Sequence, residues 1–258
     1  MKIYYDLSNV DDYVKILNDI KFEDLELQFK NTLKRIMKFK TINEETKILE
    51  VGTGSGWFPI LCTKNGIFCD GLEISPQLVE YARNLGRMHG IEPNIRLGNI
   101  EETDIGAASY DIIIALSIFE HVEYWQMGVK KIYEALRPGG LFYFYSTNKF
   151  SLWSGEYHFP FYGWLPNRWR YHLRISREGK DIMKLGIDFH QFTHFQLKRF
   201  FKRIGFSKMF DQFDVIDSDN LIHPRHWKKF ILEMIKKFKP IKHFVLLFSP
   251  GTLFICKK

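Results

Sequence analysis

Three glycines stand at every second position in Ile48-Leu49-Glu50-Val51-Gly52-Thr53-Gly54-Ser55-Gly56, directly after an apolar run with the composition of a strand. Residues without side chains at that spacing lower a bare backbone turn toward a ligand, typically one that contains a nucleotide. Glu50 sets a carboxylate at the edge of the turn. In the dinucleotide pattern GxGxxG the third glycine lets helix and strand pack closely. Counted from Gly52, that position is Trp57, and an indole cannot replace a hydrogen there. A smaller ligand is favoured. A second cluster, Ser117-Ile118-Phe119-Glu120-His121-Val122, places a carboxylate beside an imidazole, the residue types that move protons. A third lies between residues 149 and 175, where three tryptophans and two prolines stand among Tyr, Phe, Arg168, Arg170 and Arg174, with Glu156 the single acid. Aromatic walls exclude water and enclose a flat or greasy acceptor, and arginines hold carboxylate or phosphate. The same residues could instead form a small aromatic core with its arginines in solvent.

The elements that must position these clusters alternate. Apolar spacing of three to four predicts helix over residues 10–40. From Lys47 onward, strands are predicted at KILEV, FCDGLEIS, NIRLG, YDIIIALS and LFYFYST. Helices stand between them at WFPILCTK, PQLVEYARNLGRMHG (capped by Ser75, with Pro76 in its first turn) and residues 125–136, the last ending at Arg137-Pro138-Gly139-Gly140. The continuous apolar run YDIIIALS has the character of a central parallel strand. Strand and helix alternating five times means a doubly wound α/β sheet, and in such sheets ligands bind at the carboxyl ends of the strands. That places the glycine turn and the Ser117–Val122 cluster on one edge. The aromatic insert follows the fifth strand and hangs over the same side. Beyond it, Thr193-His194-Phe195-Gln196 reads as a capping box that opens a helix. SKMFDQFDV reads as a strand, PRHWKKFILEMIKKF as a basic amphipathic helix, and TLFICKK as a final strand.

Composition bounds the rest. The 258 residues fit one domain with an embellishment, and the hydrophobic share of 45% is that of a globular chain. The net charge of +7 is unevenly shared: residues 1–150 carry 17 Lys and Arg against 21 Asp and Glu, and the remainder carries 20 against 9. The basic second half suits an anionic partner, or is simply a solvated lysine-rich face. Cys62, Cys69 and Cys256 lack CxxC spacing, so neither a disulfide framework nor a zinc site is expected. A charged N-terminal stretch without an apolar run of spanning length predicts a cytoplasmic protein, at most peripheral to a membrane.

Over roughly residues 45–148 the chain resembles the class I S-adenosylmethionine-dependent methyltransferases. Glu50-Val51-Gly52-Thr53-Gly54-Ser55-Gly56 matches the family's first motif, and Gly71-Leu72-Glu73-Ile74-Ser75 the end of its second strand. Gly98-Asn99-Ile100-Glu101 stands where the family has Gly-Asp-Ala-Glu. Tyr110-Asp111 and Leu136-Arg137-Pro138-Gly139-Gly140-Leu141 complete the set. The resemblance implies S-adenosyl-L-methionine as cofactor and a seven-stranded, mainly parallel Rossmann-like sheet with an antiparallel final strand. It implies cofactor contacts at Glu50, Gly52, Thr53, Gly54, Gly56, Glu73, Ile74, Asn99, Ile100 and Ser117. Glu73 would take both ribose hydroxyls. Asn99, departing from the family's aspartate, would accept from the adenine amino group through its amide oxygen.

The organisation expected is a single methyltransferase domain: a helical cap over 1–45, a cofactor-binding core over 46–148, a substrate-cap insert over 149–190, and C-terminal helices with the last two strands over 191–258. The Glu-His-Val sequence is similar to that of ubiquinone-biosynthesis-type O-methyltransferases. That likeness suggests His121 as general base with Glu120 orienting it, though both could belong to the turn's own hydrogen bonding. Spacing places no further ligand for a metal. His158, His190 and His194 are second-line bases. Trp153, Tyr157, Trp164 and Arg168 are the candidate acceptor contacts. The acceptor expected is a small molecule, methylated at oxygen and aromatic, lipid-linked or sugar-linked. An RNA methyltransferase and a non-catalytic cofactor-binding module stay open as alternatives. Nucleic acid is disfavoured because Ser117-Ile118-Phe119-Glu120 replaces the Pro-Pro turn of base-amino methylation. The basic helix with Trp227, Phe230, Ile231, Met234 and Ile235 could rest on anionic lipid, or turn its apolar side to the sheet.

Overall fold

The computed structural model describes residues 22–154, 159–178, 188–216 and 226–258. Helix α1 (Phe22–Met37) buries Leu25, Phe29 and Ile36, residues spaced to share one helix face. That face lies on α2 (Trp57–Lys64), where Phe29 meets Phe58 with ring centroids 5.4 Å apart. The predicted helix before Phe22 lies outside the described residues.

Strands β1 (Lys47–Val51), β2 (Phe68–Glu73), β3 (Asn94–Leu97), β4 (Tyr110–Leu116) and β5 (Leu136–Thr147) pair in parallel, joined through α2, α3 (Pro76–Met88) and α4 (Trp125–Ala135). A short ribbon, β6 (Trp153–Ser154) with β7 (Phe159–Pro160), precedes α5 (Asn167–Glu178) and α6 (His194–Ile204). Then follow β8 (Lys208–Asp211), α7 (Gln212–Val215), α8 (His226–Lys237), α9 (Lys239–Phe248) and β9 (Gly251–Lys257). The sheet order is β3-β2-β1-β4-β5-β9-β8, and β9 alone in this sheet runs against its neighbours. This is the seven-stranded, mainly parallel doubly wound sheet expected.

Strand β4 shows why the sheet holds. Ile113 and Ala115 face one layer with Phe142 and Phe144, while Ile112 and Ile114 face the other with Leu141 and Tyr143. All four β4 residues are fully buried, and each isoleucine is worth roughly 1.5–3 kcal/mol of transfer from water. Ile113→Asp would put a charge between two aromatic layers. The three cysteines are buried free thiols.

Some elements differ from expectation for local reasons. The Arg137-Pro138-Gly139-Gly140 breaker lies within β5, where Leu136 pairs Tyr110 and pairing resumes at Leu141 opposite Ile112, a bulge rather than a stop. SKMFDQFDV is strand only to Asp211. There Asp211 and Asp214 form a reciprocal capping box that turns the chain into α7. Thr193 accepts from the Gln196 N–H and opens α6 as predicted. The insert is not wholly irregular, since it contains the ribbon, a 3₁₀ turn at Tyr162–Trp164 and α5.

Candidate active site

The strand order reverses between β1 and β4, so a crevice opens at their carboxyl ends. The glycine turn leaves β1 on one side of it and Ser117–His121 leaves β4 on the other. Gly52, Gly54 and Gly56 all have φ between 56° and 74°, the left-handed region that glycine enters without strain. Gly52 and Thr53 donate to the Leu72 carbonyl at 2.7 and 3.3 Å, fastening the turn to the end of β2.

Each glycine is there for its own reason. A Cβ on Gly52 would lie 2.3 Å from Ile118 Cγ2, so the two walls of the crevice touch. A Cβ on Gly56 would meet Ala82 and Ile95 at 2.6 and 2.7 Å, so Gly56 is the close-packing glycine and Trp57 is free to begin α2. A Cβ on Gly54 would meet nothing within 4 Å. Gly54 is the bare point of the cradle.

Glu73 faces that point. Its Oε2 accepts from Gly54 N at 2.7 Å and its Oε1 from Ser75 N at 3.0 Å. Two carboxylate oxygens offer about four acceptor positions, so these bonds leave Glu73 able to accept from a ligand hydroxyl. Burial pushes its carboxyl up, and the N–H groups of Gly54, Ser75 and Ile74 pull it back. Glu50 is buried beside it, with the Thr53 hydroxyl donating to its Oε2 at 2.5 Å. Burial raises Glu50 to about 8 against the relief from Thr53, and the nearby Glu73 charge adds to the rise. Asn99 is already engaged: its Oδ1 accepts from Glu101 N at 2.9 Å, and Ile100 packs its side chain into the core.

On the opposite wall Ser117 has φ 55°, a conformation uncommon without glycine, and donates its N–H to the Tyr145 carbonyl at 2.8 Å. Phe119–His121 is a 3₁₀ turn. Glu120 is fully buried and its Oε2 accepts from Ser146 Oγ at 2.8 Å, while His121 is half-buried at the rim. Among the described residues no group of three His, Cys, Asp or Glu side chains is arranged to hold a metal.

The insert and residues 188–191 enclose a cavity of about 320 Å³ lined by Lys149, Trp164, Asn167, Arg170, His190 and Gln191, with the Gly163–Pro166 turn and Phe189. It adjoins the β4 turn, because His190 N donates to the Glu120 carbonyl at 3.1 Å. His190 Nε2 lies 2.9 Å from the Glu123 carbonyl, which can only accept, so Nε2 is the donor of that bond. His194 is no base. It is buried, stacked on Phe254 with centroids 4.6 Å apart, and burial lowers its pKa to about 4.

Of the predicted acceptor contacts, Trp164 lines the cavity, while Trp153 and Arg168 lie exposed on the insert. Tyr157 and His158 lie outside the described residues. Arg170 and Arg174 do not wait for an anionic ligand as the sequence suggested. They are buried and both bind Asp188, at 3.1 and 3.2 Å, with the Tyr162 hydroxyl at 3.2 Å from the same carboxylate. Asp188 is therefore the anion that two guanidiniums need inside the protein. Sequence reasoning missed it, and missed Ile118 and Ser146. The one available signal was the stretch 149–175, with three arginines and a single acid, which had to find its counter-charge beyond it.

Residues 49–144 match the methyltransferase domain family. Over that stretch the chain is similar to methyltransferases. Its relatives include the ubiquinone biosynthesis O-methyltransferase of Coxiella burnetii, 28% identical over 102 residues, which are 40% of this chain and 44% of that one. The chain thus spans less than half the length of the curated relatives of that kind. Similar solved structures include a methyltransferase from Archaeoglobus fulgidus, with TM-score 0.56 and 17% identity over 91% of this chain and 94% of that one. Another is a phosphoethanolamine N-methyltransferase of Haemonchus contortus in complex with S-adenosylhomocysteine, with TM-score 0.55 and 15% identity over 89% of this chain and 52% of that one. At these identities the structures speak for the fold. S-adenosylmethionine is the cofactor of such a methyltransferase domain, and the open side of Gly54 beside the Glu73 carboxylate leaves room for its ribose.

Proposed function

We propose that the protein transfers a methyl group from S-adenosylmethionine to an oxygen of a small acceptor seated beneath the aromatic insert. The observation that carries this reading is the polar cavity, joined to the turn after β4 by the His190–Glu120 main-chain bond. Its volume lies at the lower end of the range for small-molecule sites. The cofactor supplies the methyl group and, as a sulfonium, its own leaving group.

What remains for the chain is to bind, orient and deprotonate. Glu73 and the glycine turn bind the nucleoside end, with Glu50, Thr53, Ile74, Asn99, Ile100 and Ser117 around it. His121, at the rim of the 3₁₀ turn, takes the proton from the acceptor hydroxyl. Glu120 is a positioning residue: anchored on Ser146, it fixes the turn that presents His121. Trp164 walls the acceptor, with Lys149, Asn167 and Gln191 as the polar groups around it. The relative named as an O-methyltransferase of ubiquinone biosynthesis supports oxygen as the methylated atom.

The test has two stages. Calorimetry should show S-adenosylhomocysteine binding and no NAD binding; the reverse would overturn the reading. A panel of phenolic, sugar-linked and lipid-linked alcohols is then followed by release of S-adenosylhomocysteine. Turnover with an alcohol but not its methyl ether supports oxygen methylation, whereas turnover only with amines would overturn it.

A further inference from the structure

Helices α8 and α9 present their apolar stripe to solvent. Trp227, Phe230, Ile231 and Met234 stand at positions i, i+3, i+4 and i+7 of α8 and are 55, 67, 45 and 46% exposed. Phe238, Ile241 and Phe244 carry the exposed apolar surface on into α9. The expectation that this side packs on the sheet is corrected by these exposures. The helices are nonetheless anchored: Leu232 and Leu246 are buried against Phe213, with Ile235 beside them. Lys242 holds Asp211 and Asp214 at 2.8 and 3.1 Å, pinning α9 to α7. The outward stripe is therefore a fixed feature of a docked helix pair.

Its charge identifies the occupant. Residues 226–248 contain six lysines, at 228, 229, 236, 237, 239 and 242, and one acid, Glu233. A second copy of the chain meeting this face would set lysine against lysine across a two-fold axis. An RNA backbone would use the lysines but has no use for Ile231, Met234 and Ile241. An anionic bilayer uses both, taking large apolar side chains into the headgroup boundary while lysine stems reach the lipid phosphates.

We propose that the outward stripe of α8 and α9 docks the protein on an anionic lipid surface. The stripe continues to the insert through stacked rings: Phe244 meets Phe248 at 5.0 Å, Phe248 stacks on Trp164 at 6.2 Å, and Trp164 meets the exposed Phe161 at 5.7 Å. Trp164 is a wall of the polar cavity. Docking thus brings the cavity wall to the lipid side, and, on the proposed reaction, suits an acceptor drawn from the bilayer.

The test is co-sedimentation with phosphatidylcholine vesicles with and without phosphatidylglycerol. The protein should bind the anionic vesicles, and less so at high salt. Phe230→Ser with Met234→Ser should weaken binding by at least roughly tenfold, since two large apolar groups no longer leave water. Lys237→Glu with Lys239→Glu should abolish the preference for phosphatidylglycerol. Both pairs are exposed and should keep thermal stability and S-adenosylhomocysteine affinity, so loss of docking is told apart from loss of fold. No binding of the unaltered protein to anionic vesicles would overturn the proposal. So would serine variants that bind as tightly as the unaltered chain, or a stable dimer in sedimentation velocity that the serine pair dissolves. Vesicle binding is read without turnover, so its failure leaves the proposed reaction standing.

Discussion

The two sides of the candidate site are built differently. On the cofactor side, between β1 and β4, most polar side chains answer to groups two or three residues away: Glu73 to Ser75 N, Asn99 to Glu101 N, Glu50 to the Thr53 hydroxyl, while Glu73 also reaches across to Gly54 N. On the acceptor side the decisive contacts join distant segments. Asp188 gathers Arg170, Arg174 and Tyr162, and the Asn148 amide donates to the carbonyls of Leu246, Leu247 and Ser249 to tie the end of β5 to α9. The first kind of site is built from short motifs that carry most of their own contacts, and the second from residues that no short motif contains. A cofactor common to many enzymes calls for the first. An acceptor peculiar to one of them is served by the second.

The largest predicted effect lies where the two sides meet. His121→Ala should lower turnover by about 10²–10⁴-fold, the range of general-base catalysis, and leave S-adenosylhomocysteine affinity within about twofold. If turnover persists and falls only with His190→Ala, the base belongs to the acceptor side and the division between the halves shifts. Next comes Asp188→Asn, which leaves two buried guanidiniums without their charge. It should destabilise the insert by about 3–5 kcal/mol, seen as a lowered thermal midpoint. Cofactor affinity should change little if the two sides are as independent as their contacts suggest.

That contrast also decides what was legible in the sequence. The glycine spacing, the acid after β2 and the five alternations gave the sheet and the cofactor edge, because each motif acts on its own neighbours. Ser75 caps α3 as read, its Oγ accepting from Leu78 N at 3.2 Å. The arginines of the insert were misjudged because their partner, Asp188, lies 14 residues beyond Arg174 and nothing local marks it. The stripe on α8 has the same apolar spacing whether it faces core or solvent. Periodicity gives a helix its faces without telling which of them is covered. Tertiary placement, with Leu232 and Ile235 turned to Phe213, made that choice.

Two further effects sharpen the cofactor side. Glu73→Ala removes the acceptor of the Gly54 and Ser75 N–H groups and the proposed partner of the ribose diol. It should weaken S-adenosylhomocysteine binding by about 10–100-fold in calorimetry, the worth of one or two charge-assisted hydrogen bonds. An unchanged affinity would mean that the nucleoside end is held elsewhere.

The last effect is one of stability and concerns Glu50, whose pKa burial raises to about 8 from an ordinary carboxylate value. Below the unfolded value both states hold the proton and the group costs nothing. As pH rises, the unfolded chain releases the proton first while the folded chain keeps it, so stability is lost until the pH passes the folded value near 8. Glu50→Gln removes this titration. The variant should gain on the unaltered protein by up to about 1.4 kcal/mol for each pH unit between pH 5 and 8, and the gap should stop widening above that. Thermal midpoints in a pH series would show it. A gap that stays constant between pH 5 and 8 would mean that Glu50 is already charged in the folded protein, and that the buried side of the glycine turn holds a cation-ready carboxylate before any cofactor arrives.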